Sequence, residues 1–363
     1  MATEQKEREL VGSQAGLASA IAVETHGELG EIEAVRARGY WEQVWRRFRR
    51  DKVAILSGGF IIFLVFIATA GGPIAAHFLG HGPNDLNLSA GLHGVNQLPV
   101  GPWSHVPCSG FAVPPSGCQG HAQGTQLYIL GADGQLGNDE FLRLLYGARV
   151  SLEVAVLSTI GIMLIGILLG TLAGYYRGWI DTAISRVIEL TMVFPALLFI
   201  IALSATVGPR LNHITFGGAF APGVVTLVLV FSILGWFYPA RIMRAQVLSL
   251  REKEFVEAAR MIGASDARIM RSHVVPHLVA PIIVYSTLSM ASYILLEASL
   301  SFLGLGINQN IPSWGNLLST GPQYYLTQPW LMLWPGLAIL STTLAFNLLG
   351  DGLRDAFDPR SAR

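Results

Sequence analysis

VAILSGGFIIFLVFIATA, residues 53–70, contains no ionised side chain, and the charge-free interval around it runs from Lys52 to Asp85. An apolar stretch of roughly 20 residues is what an α-helix needs to cross the hydrocarbon core of a bilayer. Working outward, five further intervals pass the same test: Glu153 to Arg177, Glu189 to Arg210, Arg210 to Arg241, Arg271 to Glu297, and the end of Glu297 to Asp351. In the last of these Leu331–Leu349 is the span, and PSWGNLLSTGPQYYLTQPW before it reads as a loop rich in Pro, Gly and Asn. The 363 residues are 52% hydrophobic and 13% charged, with mean hydropathy +0.48, whereas soluble domains carry about 25% charged residues. An all-α membrane protein with six transmembrane helices is expected.

Basic residues are retained on the cytoplasmic side of a membrane. With both termini inside, 21 of the 24 Lys and Arg residues are cytoplasmic and only Arg143, Arg149 and Arg210 lie outside. The expected organisation is a flexible cytoplasmic tail (1–45), a basic collar and first span (46–76), and an extracytoplasmic loop with an insertion (77–150). A five-helix core (151–350) containing a cytoplasmic loop (241–278) and a cytoplasmic tail (351–363) follow. Arg46, Arg47, Arg49, Arg50 and Lys52 form the collar, placed to meet anionic headgroups. Charge balance, 24 acidic against 24 basic residues, removes any whole-chain case for nucleic acid.

Catalytic signatures are missing. Lys6, Lys52 and Lys253 follow Gln5, Asp51 and Glu252, so there is no Gly-Lys-Ser/Thr phosphate loop, and no His precedes a Glu as a His-Glu-x-x-His zinc site requires. No catalytic residue, metal site or bound cofactor is expected in this chain. An intramembrane protease and a self-contained secondary transporter remain as competing classes that six spans would also fit.

Within the spans, Gly166, Gly170 and Gly174 recur every four residues and strip one helix face of side chains, which admits the backbone of another helix from this chain or a neighbouring one. Ser286, Ser289, Tyr293, Glu297 and Ser301 share one face of the fifth span. A carboxylate there faces a partner, a cavity or a pathway, or else snorkels to the headgroups. Cys108 and Cys118, the only cysteines, lie in the loop assigned outside, where oxidising conditions favour a bridge over two free thiols.

KEFVEAARMIGASDARIMRSHVVPHLVAPII, residues 253–283, reads as helix, turn, helix. Lys253 and Glu257 are spaced for an i,i+4 pair, Gly263 suits a left-handed cap, Ser265 or Asp266 can start the next helix, and Pro276 ends it or opens the fifth span. Ala258 and Ala259 leave one side small enough for close docking.

At these residues the sequence resembles the membrane-spanning subunits of bacterial ABC importers, whose cytoplasmic loop carries Glu-Ala-Ala, three residues, Gly, nine residues, Ile-x-Leu-Pro. Glu257-Ala258-Ala259, Gly263 and Pro276 match, while His273 and Val275 replace Ile and Leu in a way similar to the oligopeptide/dipeptide branch. RRFRRDKVAI, LRLLYGARVSL, LEASLSFLGLGI, PSWGNLL and GDGLRDAFDPR also resemble the C-type permease of that branch, whereas Gly131-Ala132-Asp133 and Gly137-Asn138-Asp139 stand where Gly-Thr-Asp and Gly-Arg-Asp are usual. The resemblance implies a bacterial inner-membrane permease with a type I importer fold, forming half of a pathway for di- or oligopeptides, or for nickel chelates, glutathione or another small solute. It implies as partners a homologous second permease, two ATPase subunits that hold ATP and Mg, and an extracytoplasmic binding protein. Glu257, Ala258, Ala259, Gly263, Ala264 and Ser265 are then the element that couples to the ATPases.

Overall fold

The computed structural model describes residues 40–358 apart from 95, 120–123 and 212. Most of the expected N-terminal tail and the end of the C-terminal one lie outside the described residues. Helix α1 (Tyr40–Phe48) exposes Tyr40, Trp41 and Trp45. The helical stretch α2 (Lys52–Leu79) begins where the Asp51 carboxylate accepts from the Val53 and Ala54 amides at 2.9 and 3.1 Å, satisfying donors that a helix start leaves free. It widens into a π-helical turn at Ile67–Gly71, resumes over Gly72–Leu79, and ends at Gly80 with φ +75°.

The long interval that follows, expected only as a loop with an insertion, folds into a compact subdomain. Strands β1 (Ser104–Pro107) and β2 (Thr125–Tyr128) pair antiparallel with Ser104 opposite Tyr128, and β3 (Ala132–Asp133) pairs with β4 (Asn138–Asp139). Val100, Val106, Phe111 and Tyr128 cluster around Cys108 and Cys118, which form a disulfide with Cα atoms 5.6 Å apart. Gly134 and Gly137, at φ +68° and +69°, make the tight β3–β4 turn, so part of the glycine content is turn chemistry and not looseness.

Asp139 closes the subdomain and starts helix α3 (Glu140–Tyr176), its carboxylate accepting from the Leu142 amide at 3.0 Å. The 37 residues of α3 extend about 55 Å at 1.5 Å per residue, well beyond a hydrocarbon core of about 30 Å. The boundary expected at 150/151 therefore falls inside one continuous helix.

Arg177 and Gly178, both at positive φ, turn the chain into α4 (Gly178–Val193). Phe194 is extended because Pro195 follows it, and α5 (Ala196–Leu211) leaves at 86° to α4. Helices α6 (Val224–Gly235) and α7 (Phe237–Leu250) meet at 44°, where the Pro239 ring conflicts with the carbonyl four residues earlier. A hairpin follows, built from α8 (Glu254–Met261) and the start of α9 (Asp266–Phe302). Contrary to expectation, Pro276 neither ends a second helix nor begins a new one. Helix α9 runs through it by widening to a π turn at Met270–Val274 and tightening to a 3₁₀ turn at Val275–Leu278, which absorbs the missing N–H.

The stretch read as a loop before the sixth span contains α10 (Trp314–Thr320), capped by the Ser313 hydroxyl accepting from the Asn316 amide at 3.2 Å. Trp314 and Leu317 are buried in the core, and Asn316 donates to three carbonyls of residues 307–311. Helix α11 (Trp330–Phe357) continues past the expected boundary at 350/351, and Gly352 there packs on Ala54 of α2.

Among the described residues α2, α3, α9 and α11 are each long and apolar enough to cross a membrane, and the bent pairs α4–α5 and α6–α7 raise the number to as many as six. Helices α3 and α9 contribute to all three of the large apolar clusters. Together they form the axis on which the other spans pack.

Candidate coupling site

The hairpin is seated on the far end of α3. Val256, Ala259 and Ile269 are buried against Tyr175 of α3 and Met243 and Val247 of α7. The Tyr175 hydroxyl donates to Asp266 Oδ1 at 2.7 Å, and the Arg260 guanidinium lies over the same ring, 5.4 Å from its centroid. Arg251 donates to the Tyr175 carbonyl, Arg177 pairs with Glu252, and Arg244 grips Asp181 through two nitrogens at 2.5 and 2.8 Å. Gly263 turns the chain at φ +81° with nothing within 4 Å of a Cβ placed there, so its requirement is conformational and not spatial. The Ala264 amide closes this turn on the Ala259 carbonyl at 3.0 Å.

The structure divides the sequence-predicted docking residues. Ala259 faces inward and is 4% exposed, and Ala264 is half-buried against the same cluster, so an Ala258-Ala259 surface is not presented outward. Glu257, Ala258 and Ser265 are exposed. Among the described residues Glu257 makes no ion pair with Lys253 or any other residue; its charge acts on Arg260, which turns to Tyr175. The apolar tip consists of Met261 and Ile262, 89% and 85% exposed. Their position one turn after Ala258 was the available signal, obscured because a Met-Ile pair beside a glycine reads as core.

Gly166, Gly170 and Gly174 meet a helix of the same chain. A Cβ at Gly166 would stand 2.7 Å from the Pro239 ring, at Gly170 2.5 Å from the Ala240 carbonyl oxygen, and at Gly174 2.8 Å from the Arg244 carbonyl oxygen. Helices α3 and α7 thus touch backbone to backbone, just before α7 leads into the hairpin.

The polar face of α9 packs largely within the chain's own bundle. Ser289, Glu297 and Ser301 are buried, and Ser286 and Tyr293 are half-buried. Tyr293 packs on Phe231 of α6, ring centroids 5.5 Å apart. Glu297 accepts from the Ser301 hydroxyl at 2.8 Å, and Ser301 in turn accepts from the Ile307 amide at 3.2 Å. Polarity and spacing gave the face; only packing shows what the face meets.

Residues 166–363 match the family described as "Binding-protein-dependent transport system inner membrane component", and residues 39–94 match the "N-terminal TM domain of oligopeptide transport permease C". The chain belongs to the ABC permease family of the oligopeptide/dipeptide type. It is similar to the dipeptide transport system permease protein DppC of Alkalihalophilus pseudofirmus, 42% identical over 224 residues covering 62% of this chain and 69% of that one. It is also similar to the glutathione transport system permease protein GsiD of Pectobacterium atrosepticum, 36% identical over 320 residues covering 88% and 91%. A solved chain of the inward-facing MetNI methionine ABC transporter aligns with TM-score 0.47 and 18% identity over 60% of this chain and 97% of that one.

This inner-membrane ABC permease carries a second polar constellation that sequence reasoning passed over, at the opposite end of α3. His81 Nε2 meets Asp139 Oδ2 at 2.8 Å, with both side chains fully buried. Arg143 pairs with Asp133 at 3.1 Å and donates to Asn138 Oδ1 at 3.1 Å, so the Gly131-Ala132-Asp133 and Gly137-Asn138-Asp139 segments together hold this arginine. Burial lowers the His81 pKa, but the Asp139 carboxylate, with the Leu79 carbonyl and the Gln126 side chain, more than offsets it and the net shift is upward. Burial raises the Asp133 pKa against the opposing pull of Arg143, and raises that of the Tyr128 phenol. The constellation locks the base of the subdomain onto α3.

Proposed function

We propose that this permease forms half of the translocation pathway of an ATP-driven importer for di- or oligopeptides. The observation that carries the reading is the hairpin, with an exposed Met261-Ile262 tip and a base fixed to α3 and α7. Moving a two-state bundle from mostly one arrangement to mostly the other takes about 5.5 kcal/mol of differential binding. No phosphate loop exists in this sequence, so that energy enters by contact, and the tip is the apolar projection suited to a groove on an ATPase subunit.

In this reading six spans cross the membrane with both termini inside, as the 21 to 3 partition of basic residues favours. A homologous permease completes the pathway, two ATPase subunits bind ATP and Mg, and a binding protein delivers substrate on the subdomain side. Support for peptides comes from relatives named for dipeptide and peptide transport; support for glutathione, itself a peptide-like carboxylate, comes from a relative aligned over 88% of this chain. Proteoliposomes containing the assembled complex and its binding protein test the proposal: ATP-dependent uptake of a labelled dipeptide is expected, with glutathione as competitor to separate the two solutes. Uptake without ATP, or ATP hydrolysis by the isolated chain, would contradict it.

A further inference from the structure

Arg149 and Glu153 form an ion pair at 2.7 Å on α3, in a groove of about 500 Å³. Leu152, Val156, Val65 and Phe220 supply most of its apolar wall. The volume lies within the range of small-molecule sites, roughly 300–1,000 Å³. Counting along α3 at 1.5 Å per residue places Arg149 about 14 Å from the subdomain end, on the side from which substrate arrives in the proposed orientation.

Three features separate this groove from an ordinary surface pair. First, charge on an apolar membrane helix is directed to protein or water and not to lipid tails, and Arg149 is 56% exposed in the isolated chain. Second, Glu153 engages only Nε of the guanidinium. Both terminal nitrogens are without a protein partner among the described residues, while the pair holds the fork in place; such a fork suits bidentate capture of a carboxylate. Third, the facing wall includes Ala68 and Thr69, within the π-helical turn of α2, a distortion found frequently at functional sites.

Building on the importer reading, we propose that Arg149 receives the terminal carboxylate of a short peptide in this groove, with Glu153 as positioning residue and the apolar wall receiving a side chain. No described segment of this chain covers the groove, and complementarity of charge and apolar surface selects this occupant over an uncharged solute.

Both native cysteines are joined in a disulfide, so Thr69→Cys gives the chain a single reactive thiol in the groove wall. Its labelling rate by a hydrophilic maleimide is measured in the assembled complex in nanodiscs, with a dipeptide bearing an aromatic C-terminal side chain or with the C-terminal amide of that dipeptide. At least fivefold protection by the acid, little by the amide, and loss of the difference in Arg149→Gln are expected, with Arg149→Lys retaining only part of it. A thiol that labels in the isolated chain but not in the complex shows that a neighbouring subunit fills the groove, which overturns the proposal. Equal labelling with and without peptide overturns it too. If the wild-type complex imports the dipeptide without protecting the thiol, the groove assignment alone fails; if it neither imports nor protects, the peptide reading fails with it.

Discussion

Tyr175→Phe removes one oxygen from the seat of the hairpin and leaves the ring. That oxygen donates to Asp266 at 2.7 Å, while the ring packs at 3% exposure and carries Arg260. Asp266 is exposed, so water replaces the lost donor and no buried acceptor is stranded. The cost is then the net worth of one hydrogen bond, about 1 kcal/mol, which is about fivefold in the equilibrium between a seated and a lifted hairpin. Amide hydrogen exchange measures this opening directly. In Tyr175→Phe the amides of Glu254–Met261 should exchange about fivefold faster, with those of the glycine-lined part of α3 unchanged. A double-mutant cycle with Asp266→Ala should return a coupling of about 1 kcal/mol. Unchanged exchange in α8, or strict additivity in the cycle, would refute the idea that this bond seats the hairpin on α3. In the assembled complex the same substitution should lower substrate moved per ATP hydrolysed, because a lever that lifts from its base transmits less motion.

Gly170→Val places a side chain where even a Cβ stands 2.5 Å from a backbone oxygen, so a loss of about 1–3 kcal/mol is expected; Gly336→Val, with nothing within 4 Å, is the control, and equal drops in Tm would contradict backbone contact between α3 and α7. His81 binds its proton more tightly folded than unfolded, so its contribution to the subdomain is full below the ordinary histidine value and falls as pH rises through the raised folded value. His81→Gln should accordingly flatten the decline in thermal stability above about pH 6.5, and an unchanged slope would exclude the His81–Asp139 pair as its source. Glu297→Gln keeps an acceptor for Ser301 and should be nearly silent, whereas Glu297→Ala leaves a cavity and buried hydroxyls without partners and should cost about 2–4 kcal/mol; equal effects of the two would show that the charge itself matters there.

Charge-free intervals picked out α2, α3, α9 and α11, the four helices long and apolar enough to cross a membrane among the described residues, because the bilayer imposes one length on every crossing helix. The same criterion could not see that α3 begins at Glu140, since Arg143, Arg149 and Glu153 interrupt apolarity without interrupting the helix. It also overlooked α10, whose Pro, Gly and Asn residues signal a loop locally while Trp314 and Leu317 find partners only in the assembled bundle. The glycine repeat announced close packing, but helix periodicity carries no information about which helix approaches. In the hairpin the Gly263 turn was legible from backbone chemistry alone. The inward direction of Ala259 was not, because it depends on Tyr175, Met243 and Val247, all distant in sequence. The subdomain was hidden for a related reason: its lock joins His81, Asp133, Asp139 and Arg143 across segments that each look like ordinary polar loop.

In the proposed importer, force from separate ATPase subunits enters through the hairpin tip. Ile262→Cys puts a single reactive thiol on that tip, at a position 85% exposed. Leu136→Cys, 54% exposed in the subdomain, serves as the control on the opposite end of α3. In the assembled, ATP-hydrolysing complex a short bifunctional reagent should join Ile262→Cys to an ATPase subunit, with a yield that changes between nucleotide-free and ATP-bound states, and should leave Leu136→Cys unjoined to it. A complex that hydrolyses ATP and transports substrate while Ile262→Cys forms no such cross-link would contradict the coupling role of the hairpin.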